Sequence, residues 1–600
     1  MIFPLTTWLL AYAALLTDAP WWLRALVCLP AVLLAPGWGW AAWLGGRATR
    51  LQRALDAAWL SVALCVPTVA LVRLMAGDGA TVLHASLAWG LLGAVLARRA
   101  PAPRPDPGGG ALGVALLALG LAGFTAWQAD ALTRPLDAYW YHPQADEEGH
   151  DPLRWAPVEG FGPRVALGWP EAGAGMLPDP EGDGGAIEVA EAGRLLVLLR
   201  GPVGAGLAVG QDDAPRGLAR IERDVVEVEE EGAVPRYLDR GVVAQAVAVL
   251  PGRIDVEVVD ADGPAQIYVL PGTEAVWSAH ADGALRFVHY YQLLNIVENL
   301  RWAQELTRDR WLTVNQPPLW SNVLAPALLL VEPGLLGANA LFLWVLALLG
   351  LGSLRLLQRL AADATPVTWA LPALGAVTVG RLMVEPGSTT FPDPLYAAAM
   401  VAALAALKQP AAGRFAALGL AAGLLRYPGV VALTLMAGVF GAVERRLPLR
   451  PLGALWGATA GLAALLGLGA LLSGQLQDWL FILWFETGPE HYHGDYSAGA
   501  LLSRPPEFYA TWLRYTGYGL LAALPLAGRG AKQALGAAAL YSLLLCTIDH
   551  FPSHYFLPLV ALSGVAVGAN AAAVQAPALR WGLPLAALAG GVWFLGWSWV

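Results

Sequence analysis

The chain has 600 residues, 57% of them hydrophobic and only 14% charged, with a formal net charge of −9. So apolar a composition excludes a water-soluble protein of this length, and many runs reach the ~20 apolar residues that cross a bilayer. Cys28, Cys65 and Cys546 all sit in apolar runs, which excludes a disulfide framework and a cysteine metal site.

The first apolar runs are Ile2–Leu16, Trp21–Leu44, Ala57–Ala76, Thr81–Ala97 and Ala111–Ala129. No cationic segment precedes the first and no small-residue cleavage site follows it, so it reads as a retained span. Arg47, Arg50 and Arg53 fall between the second and third runs, and Arg98, Arg99 and Arg104 between the fourth and fifth. Cationic loops stay in the cytoplasm, so the amino terminus is expected inside and Asp130 outside.

Residues 130–316 change character, with the acidic stretches AQADEEGHD and VEVEEEG. Arg194–Leu199, Val225–Glu229, Val242–Leu250, Arg253–Val259 and Gln266–Leu270 are short aliphatic runs bounded by turn residues. They predict a mainly β insert over about 143–286, a small antiparallel sandwich or jelly roll without a catalytic motif. An interfacial helix is expected over about 290–306, with Leu293, Ile296, Val297 and Leu300 on one face. Trp302 and Trp311 suit a membrane–water boundary. Gln316-Pro317-Pro318 then straightens the chain into Leu319-Trp320.

Spans resume over 317–600, with arginine loops at Arg355/Arg359, Lys408/Arg414, Arg445/Arg446/Arg450, Arg529/Lys532 and Arg580. Their alternation makes Leu319–Leu335 a half-span or a re-entrant hairpin. It also makes Phe415–Phe440, broken at Arg426-Tyr427-Pro428, two short helices meeting near the outer face. The fold class is thus a polytopic α-helical membrane protein of roughly 12–15 spans with an inserted β segment. The expected location is the cytoplasmic (inner) membrane, multi-pass, with the large loop outside.

Ionisable residues gather at the outer ends of these runs: Asp137 and His142 in PLDAYWYHP, Asp393 in VEPGSTTFPDP, Arg426 in GLLRYPG, His491, His493 and Asp495 in EHYHGDY, and His554 and Tyr555 in DHFPSHYFLP. Glu298 and Gln316 in the connecting stretch are further candidates. Ionisable groups at membrane depth usually mark a site. The HYH spacing puts both imidazoles on one face of a strand, which with Asp495 suits either a divalent metal or a flexible acceptor-binding loop.

In order, these motifs resemble the GT-C superfamily of integral-membrane glycosyltransferases, which includes protein O-mannosyltransferases and lipid A aminoarabinose transferases. Asp137 matches that family's first external acid, Gln316-Pro317-Pro318-Leu319 its PPL element, Asp393 its second acidic loop, Arg426 its T-K-Y element and His554-Tyr555 its late Y-x-L-P element. Ala138 follows Asp137 where the family often has a second acid, and the insert and four leading spans are extra. The resemblance implies a polyprenyl-phosphate sugar donor, a glycan, lipid or protein acceptor and no nucleic acid. It implies Asp137 as general base, Arg426, His554 and Tyr555 at the donor phosphate, and Asp393 at the acceptor or a metal. The residues alone also fit a non-catalytic scaffold or a transporter of lipid-linked glycans.

Overall fold

The computed structural model describes residues 2–45, 48–106, 109–133, 139–141, 184–189, 193–201, 204–211, 217–220, 241–260, 266–271, 286–288, 299–300, 302–304, 306–307, 318–332, 334–361, 364–384, 389–407, 412–472, 474, 476, 498–524, 528–546 and 553–597. The chain divides into two units, Met1–Thr133 with Glu298–Val600, and Arg134–Val297.

The first unit is helical: α1 (Ile2–Leu16), α2 (Trp21–Leu33), α3 (Ala35–Gly45), α4 (Arg50–Leu74), α5 (Gly79–Leu96), α6 (Gly110–Trp127) and α7 (Ala129–Thr133). After the insert come α8 (Pro318–Leu330), α9 (Leu335–Leu360), α10 (Leu371–Val384), α11 (Asp393–Leu407), α12 (Ala412–Leu425), α13 (Gly429–Glu444), α14 (Leu449–Leu472), α15 (Ala498–Tyr515), α16 (Arg529–Leu545), α17 (Leu557–Ala573) and α18 (Pro577–Trp597). Among the described residues nine helical segments are long and apolar enough to cross a membrane, and five shorter apolar helices accompany them. The chain is a multi-pass helical membrane protein.

Successive helices alternate between two ends of this unit. One end is rich in arginine. There Arg50 N–H donates to Arg104 O (3.2 Å), Arg53 to Pro101 O (2.8 Å), Arg355 to Gln52 (2.9 Å) and Arg414 to Asp56 (2.7 Å). At the other end Asn339 donates to Leu132 O (2.8 Å), Trp320 to Thr390 O (2.6 Å) and Arg426 to Asp393. Helix α8 does not traverse the bundle. Trp320 near its start bonds to Thr390, Leu329 near its end lies against Gly79, and both partners belong to the end opposite the arginines.

One expectation about boundaries needs correction. Arg50 and Arg53 are not loop residues but open α4, because the Thr49 side chain caps Gln52 N–H and starts the helix earlier. The expected span Trp21–Leu44 corresponds to the apolar segment Trp21–Gly45. It is built of α2 and α3, which meet at Leu34, with Pro36 at the tolerant start of α3.

Small residues let α3 wedge between α4 and α5. A Cβ on Gly37 would stand 2.0 Å from Ala57 O, and one on Gly39 2.2 Å from Gly93 C. Lipid-facing helices gain no hydrophobic driving force from pairing, so such close backbone approach is what joins them. α14 is the contrast: only Leu455 and Ala470 are buried along its length.

The described residues of the second unit are strands. β2 (Gly184–Val189), β7 (Gly252–Val259), β4 (Gly206–Gln211) and β5 (Gly217–Arg220) form one antiparallel sheet in that order. β6 (Gly241–Val249), β3 (Gly193–Gly201) and β8 (Gln266–Pro271) form a second. β1 (Tyr139–Tyr141) pairs in parallel with β9 (Arg286–Val288). Ile254 and Val256 are buried while Arg253 and Glu257 are exposed, the period-two pattern of a half-buried strand. The expected run Val225–Glu229 lies outside the described residues.

Gly37→Val is expected to destabilise the folded unit by about 3 kcal/mol or more through overpacking. Gly457→Val in α14, where a Cβ meets nothing within 4 Å, is expected to be neutral. Thermal unfolding in detergent compares the two.

Candidate functional site

The end opposite the arginines carries one cluster of ionisable side chains. Its scaffold is the segment Thr389–Pro392 and the helix it starts. Pro394 suits the first turn of α11, and Asp393 at that helix N-terminus is favoured by the dipole. The segment is pinned from two sides: Thr389 Oγ1 donates to Asn339 Oδ1, and Thr390 O accepts from Trp320.

Arg426 comes from the next hairpin. Its N–H still bonds Ala422 O (2.9 Å), but Pro428 disfavours helix at Tyr427, and α12 stops. The chain turns through Gly429, whose N–H donates to Arg426 O (2.8 Å), and descends as α13. A Cβ at Gly429 would lie 2.7 Å from Ala422 O and 3.0 Å from the Tyr396 ring, so glycine lets the hairpin close against α11. The guanidinium then reaches the carboxylate in a two-pronged pair, Nε to Oδ1 at 3.1 Å and Nη2 to Oδ2 at 2.7 Å. Asp393 is nearly buried, with 4% of its side chain exposed, against 31% for Arg426.

The helices that carry the pair are short: α11, α12 and α13 have 15, 14 and 16 residues. At about 1.5 Å per residue they span roughly 21–24 Å, against a hydrocarbon core of about 30 Å. An unpaired charge at a helix end next to hydrocarbon is costly, and the pairing removes that cost.

His554 stands beside the pair. It lies on a 3-10 turn, Ser553–Phe556, that opens α17 and is tethered by Ser553 Oγ donating to Leu382 O (3.3 Å). The His554 ring meets Phe391 edge-on at 5.5 Å and Tyr555 at 4.7 Å. Phe391 is two residues from Asp393, so three of the expected site residues, and Tyr555 with them, are drawn to one place. Both oxygens of Asp393, expected at an acceptor or a metal, hold Arg426. Among the described residues no group of three or more His, Cys, Asp or Glu is arranged to hold a metal. Asp137, His142, Glu298, Gln316, His491, His493 and Asp495 lie outside the described residues.

Of the expected interfacial helix, residues 299–300, 302–304 and 306–307 are described and helical, and Asn299, Leu300, Trp302, Ala303 and Leu306 are buried. Burial there reaches beyond the apolar stripe, so Trp302 packs against protein. Trp311 lies outside the described residues.

Several polar residues at this end escaped the sequence reading. Arg381 of α10 is buried, with its guanidinium carbon 5.8 Å from the Trp127 ring centre. An arginine inside the apolar run before VEPG was itself a signal. Tyr396, one turn below Asp393, hydrogen-bonds Tyr541 of α16; no motif pairs them. Ser321 Oγ and Thr390 Oγ1 are buried without a hydrogen-bond partner, and unsatisfied buried hydroxyls call for an explanation.

No protein-family model, no curated protein and no solved structure matches this chain.

A double-mutant cycle tests whether the pair acts as a unit. Asp393→Ala is expected to cost about 3 kcal/mol by stranding Arg426. Asp393→Ala with Arg426→Ala should cost less than the two separately, with a coupling of about 1–3 kcal/mol. Thermal unfolding of the four proteins in detergent measures it; additive costs would show that the pair is not coupled.

Proposed function

We propose that the protein is a membrane glycosyltransferase of GT-C type that moves a sugar from a polyprenyl-phosphate donor to an extracytoplasmic glycan, lipid or protein. The observation that carries the reading is the nearly buried Asp393–Arg426 pair, with His554 at the same end. Asp393 holds the Nε–Nη2 edge of the guanidinium, so donation to a phosphate falls to Nη1, and it counts for most in a partly dry site. Asp393 holds Arg426 in place before the ligand arrives, so less order is lost on binding.

In the reaction, the bond between the sugar anomeric carbon and the phosphate oxygen breaks, and a bond from the acceptor oxygen to that carbon forms. Arg426 and His554 receive the negative charge that collects on the leaving phosphate. Asp137 takes the acceptor proton; that role rests on the resemblance alone. No step is routed through a metal, because a metal at Asp393 would have to displace a two-pronged guanidinium.

The arginine-rich end faces the cytoplasm by the charge rule, which puts the site and residues 130–316 on the far side. The three native cysteines are buried, so a single introduced thiol reports without background. Ser278→Cys is expected to react with a membrane-impermeant maleimide in intact spheroplasts; reaction only after lysis would reverse the orientation.

A transporter reading calls for ionisable pairs at mid-span. Both Asp393–Arg426 and Asp56–Arg414 lie at helix ends, which favours the transferase. The decisive assay is sugar transfer by protein in vesicles supplied with polyprenyl-phosphate sugars. Asp137→Asn is expected to lower kcat by 10²–10⁴-fold, while Arg426→Ala raises KM for the donor. A wild-type protein that neither binds polyprenyl phosphate nor transfers sugar would end this reading.

A further inference from the structure

The arginine-rich end holds a second charged cluster with no part in the proposed reaction. Arg414 at the start of α12 donates to Asp56 of α4 at 2.7 Å, and the two side chains are only 19% and 11% exposed. Gln52 Nε2 donates to the other Asp56 oxygen at 2.8 Å. Arg355, near the end of α9, is buried; its Nε donates to Gln52 Oε1 (2.9 Å) and its Nη1 to Gln358 Oε1 (3.0 Å). Arg359, one turn further, is exposed at the mouth. Asp106 accepts from Leu51 N–H (3.1 Å), and Arg53 donates to Pro101 O.

Charge and hydrogen bonding both leave a remainder. Arg355 lies within electrostatic reach of Arg359, Arg414, Asp56 and Asp106, and Arg359 of Arg414. Among the described residues, these three guanidiniums share two carboxylates. Separately, Gln358 Nε2 is buried and has no acceptor among the described residues. It sits against Gly110, which Asp106 also packs on. A buried N–H donor beside several guanidiniums suits an anionic acceptor.

We propose that this cluster, where α4, α9 and α12 meet, binds a phosphate-bearing anion through Arg359, Arg355 and Gln358 Nε2. A phosphodiester carries one negative charge and several acceptor oxygens, which answers both remainders. It reaches the membrane boundary either as the headgroup of an anionic phospholipid or as a phosphate group in solution. Basic clusters between membrane helices on the cytoplasmic side are suited to lipid headgroups.

The test is thermal unfolding of the full chain in detergent supplemented with dioleoyl phosphatidylglycerol, dioleoyl phosphatidylcholine or inorganic phosphate. Phosphatidylglycerol is expected to raise Tm above the phosphatidylcholine value by at least about 2 °C. Arg359→Ala should weaken that effect about tenfold in lipid concentration while leaving Tm in phosphatidylcholine unchanged. Arg359→Lys should keep most of it. An equal, Arg359-dependent rise with inorganic phosphate would assign the site to a soluble anion. The proposal is overturned if no anion raises Tm, or if the rise survives in both Arg359→Ala and Gln358→Leu. Should either variant fail to fold, native mass spectrometry of the wild-type chain decides: retained phosphatidylglycerol supports the site, and retention no greater than that of phosphatidylcholine overturns it.

Discussion

A chain threaded through hydrocarbon has no water to satisfy its polar groups, and most of this architecture follows from that. Backbone N–H and C=O groups must bond within each segment, which leaves helices as the spanning form here. Side-chain polarity is pushed to the helix ends, where it accumulates in two places. At one end the arginines of several connections cross-brace α4, α9 and α12. At the other, Asp393, Arg426, Asn339, Thr389 and Trp320 tie the starts and stops of helices together. Between them the interior is largely apolar and held by shape, with glycines at the closest crossings and single hydroxyls such as that of Ser563, which accepts from Trp512.

The two polar ends differ in content and in the helices that carry them. The arginine-rich end is built on the long helices α4 and α9, whereas Asp393 and Arg426 sit on the short helices α11 and α12. Burial gives such a pair its leverage. A guanidinium clamped by a nearly buried carboxylate is oriented before any ligand meets it, and water competes with it less than at a surface.

How much of this was legible follows the kind of signal each feature leaves. Apolar runs announce spans because a span needs length and hydrophobicity, and both are local; Ile2–Leu16 coincides with α1. The strands at Arg253–Val259 and Gln266–Leu270 were readable for the same reason. Helix starts were less so, because a single capping hydroxyl at Thr49 shifts α4 to begin at Arg50. Arg426 could be noticed as a charge at a span end, but its clasp on Asp393 joins residues far apart in the chain. Partners at that distance leave no local periodicity. The Tyr396–Tyr541 contact and the burial of Trp302 were illegible for that reason: each depends on which helix packs alongside.

The brace between α4 and α12 also constrains how the protein is made. Asp56 and Arg414 are 358 residues apart, and ribosomes add roughly 5–20 residues per second. Asp56 therefore emerges roughly 20–70 s before its arginine exists. Throughout that interval the amino-terminal spans hold a carboxylate near the bilayer edge without its final counter-ion. Biogenesis must shelter it, by keeping α4 shallow, by leaving the carboxyl protonated, or by lending it a chaperone's cation. Assembly of the first spans is thereby provisional, and becomes permanent only when the later half arrives to neutralise it.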